Sequence, residues 1–210
     1  VRSRRQRQMC IRDRYLTFFF LVSFGFGLNG AMASLVGNAI GRKDSKTLEE
    51  LTIIGILFAL FISITLIIFG LLLGPFTLGL ISESGAYQDF GLRYYFLLLI
   101  ALPAFLIAYT CNGILQAQGD AVSMQRALII AFLLNLVLNP LLIFGIPGFW
   151  SGLGFDGIAL STIFSQYFVM IFMLYKLVNA SIKINFSFKI LRINYKVLKE
   201  IFIQMLPPSL

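Results

Sequence analysis

The chain has no histidine among its 210 residues and only two cysteines, Cys10 and Cys111. The first absence removes the commonest metal ligand and general base. The two thiols lie far apart in unlike surroundings, which supports neither a zinc site nor a disulfide framework. Acid is scarce as well, with nine Asp and Glu against 17 Lys and Arg. None of those carboxylates falls inside a long apolar run. A membrane enzyme would need a catalytic constellation, and there is no histidine, no intramembrane acid and no metal motif to build one. The basic excess is not a nucleic-acid signature either. The cations gather at the ends of apolar runs, which is the pattern of membrane orientation.

What the chain has in abundance is apolar length. Hydrophobic residues make up 59% of it and the mean hydropathy is +0.89, whereas soluble domains sit near about 45–50% apolar. The expected fold class is therefore an all-α integral membrane protein, a polytopic helical bundle. Five runs have the length that crosses a bilayer as a helix: residues 16–40, 51–73, 94–115, 127–146 and 157–178. The first is rich in small residues, and Ala33, Gly37 and Gly41 recur every four positions, the spacing of a close helix–helix seam. The second is apolar almost all round and is expected to be the most lipid-facing. Between residues 74 and 91 a polar loop with Pro75 is expected, and Pro103 should kink the third span.

The fourth run, ALIIAFLLNLVLNPLLIFGI, organises the rest. Asn135 and Asn139 are four apart and so lie on one helix face. Pro140 gives no N–H to the carbonyl of Leu136. Two amides and a freed carbonyl at membrane depth cannot be satisfied by lipid, so this face should point into protein or a wet cavity. Interhelical polar contacts in membranes average only about 0.6 kcal/mol, a weak return for such a turn if it served as glue alone. Other polar points are Asn29 and Asn38 on the first span, Asn112 and Gln116 on the third, and Ser161, Thr162, Ser165 and Gln166 on the fifth. Thr162 and Gln166 share a face. Phe-rich stretches such as Phe18 to Phe20 read as lipid-facing or packing residues, and Trp150 suits the membrane interface.

Charge sets the orientation. The 41–50 loop, the 116–126 loop and the segment from 179 to 199 carry nearly all the cations that follow the first span. Positive residues mark the cytoplasmic side, so those three segments are expected inside, in a multi-pass protein of the bacterial plasma (inner) membrane. Residues 179–199 read as an amphipathic surface linker, and 200–210 as the start of a further, truncated span. Residues 1–14 hold six arginines and no lysine and would sit outside, against the rule. They read as a non-native or mis-assembled leader standing where an earlier span belongs.

Four segments carry a family likeness: GNAIGRKD from Gly37 to Asp44, NGILQAQGD from Asn112 to Asp120, NLVLNPLLIFG from Asn135 to Gly145, and LGFDGIALST from Leu153 to Thr162. In order and spacing the chain resembles the multidrug and toxic compound extrusion (MATE) transporters from Tyr15 to Leu210. The resemblance implies an incomplete first lobe of a twelve-helix, two-lobed transporter: helices two to six, the inter-lobe linker and the start of helix seven. Helix one and the second lobe would be the missing partners. It implies secondary active export of organic cations or other amphipathic compounds against H+ or Na+, with no resident cofactor. Asn112, Asn135 and Thr162 match polar positions of that family's first-lobe cavity, and Gln166 shares the face of Thr162. Asn139 falls where several members carry an aspartate, and an amide does not titrate. The alternative within the superfamily is a flippase of lipid-linked oligosaccharides or their precursors. Phosphate-bearing substrates favour a cavity rich in Arg and Lys, and the spans hold none short of Lys176 at the end of the fifth.

Overall fold

In a computed structural model the residues described are 23–81, 86–146, 148, 151–180 and 195–205. The leader, Phe18 to Phe20, Trp150 and most of the basic linker lie outside them. The described residues form seven helices: α1 over residues 23–41, α2 over Ser45–Ile81, α3 over Ala86–Leu99, α4 over Leu102–Ala117, α5 over Ser123–Phe144, α6 over Phe155–Val178 and α7 over Tyr195–Met205. Three of these, α2, α5 and α6, are long and apolar enough to cross a membrane, and α3 with α4 makes a fourth, bent span.

The bend between α3 and α4 is 44°. It falls at Ile100 and Ala101, and Pro103 sits in the first turn of α4, where a missing N–H costs nothing. Pro140 behaves differently, since α5 continues through it to Phe144 as one helix. The expected loop at 74–91 is largely helical instead. α2 runs on to Ile81 and α3 begins at Ala86, because the apolar pattern of α2 carries past Pro75. The expected boundary at 199/200 also shifts: it lies inside α7, whose Val197, Ile201 and Met205 form a buried stripe at helical spacing.

Contacts fix the helix directions. Gly25 lies against Phe105 and Leu106, and Gly113 against Asn29 and Ala33, so α1 and α4 run parallel. Gly55 abuts Met32 and Thr110, and Gly70 abuts Leu99, so α2 runs opposite to both. These three helices enclose a core that includes Leu28, Met32, Leu102, Leu106 and Ile114. α6 lies beside α4 in the same direction, with Arg93 bound to Asp156 near one end and the Tyr167 hydroxyl donating to Ile100 O further along. α5 returns antiparallel along α6.

The structure differs from the expected packing of α1. Among the described residues the Gly37–Gly41 pair makes no close seam, because a Cβ built on either meets nothing within 4 Å. Close approach is made by Gly113 instead, whose Cβ would stand 2.3 Å from Asn29 O. The stripe is in contact through Gly25, Gly27 and Ala33 and open at Gly37 and Gly41, and it is α4 that supplies the glycine of the closest approach. Of the long helices among the described residues, α5 is more exposed than α2. Phe132, Leu133, Leu136 and Val137 are all exposed on α5, since α6 is its main neighbour.

The loop ends are tied by two matching carboxylates. Asp44 accepts from the backbone N–H of Thr47 at 3.1 Å and from its hydroxyl at 2.6 Å. Asp120 accepts from the N–H of Ser123 at 3.0 Å and from its hydroxyl at 2.6 Å. Both are D-x-x-S/T caps that satisfy donors at the starts of α2 and α5.

Candidate functional site

The polar residues at membrane depth fall on two seams. The first joins α5 to α6. The Ser161 hydroxyl donates to Asn139 Oδ1 and also lies 2.8 Å from Ile158 O. One turn further along each antiparallel helix stand Asn135 and Ser165, placed opposite one another by the same register. Gly157 confirms that register from the other side, because a Cβ on it would meet the backbone of Leu142 and Ile143 at 2.6–2.9 Å. Asn135 Oδ1 and Ser165 Oγ are both buried without a hydrogen-bond partner.

That orphaned serine stands out by contrast. Thr52, Ser63 and Thr110 are also buried, and each hands its hydroxyl proton to a carbonyl three or four residues back, at 2.7–2.9 Å. This is the ordinary solution for a hydroxyl inside an apolar helix. Ser165, only 1% exposed, does not adopt it. A buried polar group left unpaired costs about 1–3 kcal/mol, so a run of them marks a place where something other than packing is being provided for.

The second seam joins α1 to α4. Asn112 Nδ2 donates to Asn29 Oδ1 at 2.9 Å, while Asn112 Oδ1 is buried and unpaired. Beside it Phe26, Phe105 and Tyr109 form an aromatic group, with ring centroids 4.4–6.4 Å apart.

The sequence-predicted residues are distributed as follows. Asn135 and Asn139 are half-buried on the α5 face turned to α6. Thr162 is half-buried, and its hydroxyl donates back to Ile158 O at 3.0 Å. Gln166 is half-buried beside it on α6, and Gln116 is exposed. Asn112 is 5% exposed and is brought to Asn29 on α1, not to the amides of α5. Sequence reasoning passed over Asn29, Ser161 and Ser165 as site residues. The last two carried a usable signal: they are four apart, matching Asn135 and Asn139, on the apolar run that follows directly.

The ends of the bundle are charged and the middle is not. Arg93 and Asp156 pair at 2.6 Å at one end, with the rings of Tyr94 and Phe155 5.7 Å apart beside them. At the other end the carboxyl of Asp120 is held below its ordinary range, chiefly by the Ser123 hydroxyl, with its backbone bonds and the charge of Lys176 assisting. Asp44 is lowered in the same way by Thr47. No group of three or more Cys, Asp or Glu side chains able to hold a metal occurs among the described residues.

Apolar helices with charge at their ends and partly unpaired polar side chains on their seams give the described residues the build of a multi-pass membrane protein. The chain belongs to the MatE family, whose model matches residues 15–141. It is similar to the probable multidrug resistance protein YoeA of Bacillus subtilis (strain 168), with 28% identity over 151 residues, 70% of this chain and 32% of that protein. A MOP superfamily transporter from Pyrococcus furiosus, described as having a binding pocket of reverse polarity, matches with a TM-score of 0.83. It is 22% identical over 97% of this chain and 44% of that one. A multidrug resistance MATE family transporter matches equally well inward-facing and outward-facing, with a TM-score of 0.79 in both cases. The inward-facing structure is 23% identical over 94% of this chain and 44% of that chain, and the outward-facing one 22% over 92% and 42%. The chain thus spans about a third of the curated relative and less than half of each solved structure. The flippase alternative is not favoured by these matches.

Proposed function

We propose that the chain forms most of one lobe of a secondary active exporter, expelling organic cations or amphipathic compounds against an inward flow of H+ or Na+. The observation that carries this reading is the α5–α6 seam. It places Asn135 and Asn139 against Ser161 and Ser165 in an otherwise apolar pair of spans, with two polar atoms left unpaired. Groups in that state have no partner of their own, and a solute that reached the seam with its own hydrogen bonds would satisfy them. Asn112, Thr162 and Gln166 complete the set of lining residues in this reading. Pro103, next to the 44° bend, and Pro140 shape the two helices that carry the amides.

Family membership and the names of the relatives support the transport class. The equal match to inward-facing and outward-facing forms supports a lobe that keeps its shape while the two halves of a transporter rock. Asn139 offers no titrating group, so proton coupling through this lobe would rest on acids elsewhere in the parent. In this reading the 41–50 and 116–126 loops and the 179–199 segment face the cytoplasm of the bacterial inner membrane. The caps at Asp44 and Asp120 and the exposed Lys199 all belong to that side.

The test is export of a cationic dye by the full-length gene product in proteoliposomes under a proton or sodium gradient. Asn135→Ala is expected to slow export at least fivefold with unchanged expression. Efflux at the wild-type rate in that variant would return Asn135 to a purely structural role.

A further inference from the structure

Ser161 stands at the junction of two acceptors and has one proton to give. Its hydroxyl reaches Ile158 O at 2.8 Å, and it also meets Asn139 Oδ1. The Ile158 carbonyl has a second hydroxyl on it, that of Thr162 at 3.0 Å. In the α6 ladder it also receives the backbone N–H of the residue four further on, which is again Thr162. A carbonyl oxygen has two lone pairs. Thr162 fills both, and the Ser161 proton is left for Asn139.

We propose that Ser161 is a positioning residue: by tying Asn139 Oδ1 it turns the amide over so that Nδ2 faces the site as a hydrogen-bond donor. The inference rests on the α5–α6 seam being a ligand-lining face, as argued above. It adds a polarity to that face. A carboxamide held by its oxygen presents two N–H groups on its other arm. One turn away Asn135 Oδ1 is an unpaired acceptor, and opposite it the Ser165 hydroxyl is unpaired as well. The seam thus offers a donor at Asn139 and an acceptor at Asn135, on residues whose Cβ atoms stand about 6 Å apart as i and i+4 on a helix. The ligand class it selects is a cation that also carries an acceptor oxygen, such as an ester, amide or ether group, over a cation with no hydrogen-bonding atom. Ser161 itself is fully buried, so it acts on the ligand only through Asn139.

The test compares two lipophilic cations on the purified full-length gene product: rhodamine 6G, which has an ester carbonyl, and tetraphenylphosphonium, which has no hydrogen-bonding atom. Ser161→Ala is expected to raise the Kd for rhodamine 6G by about fivefold to tenfold, the worth of one hydrogen bond. Tetraphenylphosphonium binding should change less than about twofold, which also reports that the variant is folded. Ser161→Thr, which keeps the hydroxyl, should restore rhodamine 6G binding. Adding Ser161→Ala to Asn139→Ala should weaken it no further. The proposal is overturned if rhodamine 6G binds Ser161→Ala as it binds wild type, if both cations weaken together, or if the two substitutions add. If the wild-type protein binds neither cation, the ligand-lining reading itself fails and this inference goes with it.

Discussion

Replacing Gly113 by alanine puts a single methyl group where the structure has the least room for it. The new Cβ would stand 2.3 Å from Asn29 O and 3.1 Å from Ala33 N, both backbone atoms of α1. Ordinary contact begins near 3.4 Å, so α1 and α4 must separate by about 1 Å at this point. Neither atom can rotate away, since both belong to a helix. The Asn112–Asn29 hydrogen bond, 2.9 Å long, lies beside the contact, and the same displacement would carry it to nearly 4 Å, past any useful hydrogen bond. Overpacking costs about 1–3 kcal/mol and the lost interhelical bond about 0.6 kcal/mol. Alanine's better helix propensity returns about 1 kcal/mol, so a net loss of about 1–3 kcal/mol lowers the apparent Tm of a chain this size by roughly 2–12 °C. Gly37→Ala is the matched control. Nothing lies within 4 Å of its Cβ, and alanine is the better helix former by about 1 kcal/mol, so its Tm should hold or rise. The assay is thermal melting of both variants in the same detergent. If Gly113→Ala melted with wild type, or if Gly37→Ala fell as far, the packing account of α1 and α4 would be wrong.

The cap at Asp120 predicts a pH dependence. Its folded pKa is depressed, chiefly by the Ser123 hydroxyl, so the stabilisation is present above the ordinary aspartate value of about 3.9 and is lost as pH falls through the folded value. Asp120→Ala should cost about 1 kcal/mol at neutral pH, and the gap in melting temperature from wild type should close in acid below that range; a gap that persisted there would assign the effect to something other than the carboxylate. The Arg93–Asp156 pair has Arg93 largely in the open, with 68% of its side chain exposed. Arg93→Gln should therefore cost no more than about 1 kcal/mol in low salt and nothing measurable in 1 M salt, and a larger loss that ignored salt would mean the pair is shielded in the membrane-embedded protein.

The long apolar runs marked where α2, α5, α6 and the bent α3–α4 pair lie, because membrane spans leave a signal that tertiary contacts barely alter. The ends were harder to place. α2 passes through Pro75 to Ile81, and α7 starts inside what reads as a linker, since helix termini depend on local hydrogen bonding that hydropathy does not report. The α5 amides were legible as a pair, because any polar group in such a run must answer to its surroundings. Their partners were not. Facing Asn139 with Ser161 instead of Thr162 is a matter of about 100° of rotation on α6, and rotation is set by which neighbour the helix meets. The same reasoning misplaced the seam of α1. Spacing marks Ala33, Gly37 and Gly41; of these Ala33 is at the close contact, which is made by Gly113 of the partner helix.

The connection between α5 and α6 bears on how the two helices are held together. Leu153 N–H donates to Leu142 O at 2.8 Å and Gly154 N–H to Ile143 O at 3.1 Å, so the turn closes off the last carbonyls of α5 from within. Gly152, with φ of +73° and Ile143 O 2.5 Å from where a Cβ would be, makes that return possible. Among the described residues, the carbonyls of Leu141, Leu142 and Ile143 are met from the turn itself. Backbone bonds at the turn and the Asn139–Ser161 bond about one helical turn inward thus hold α5 and α6 to each other at two levels.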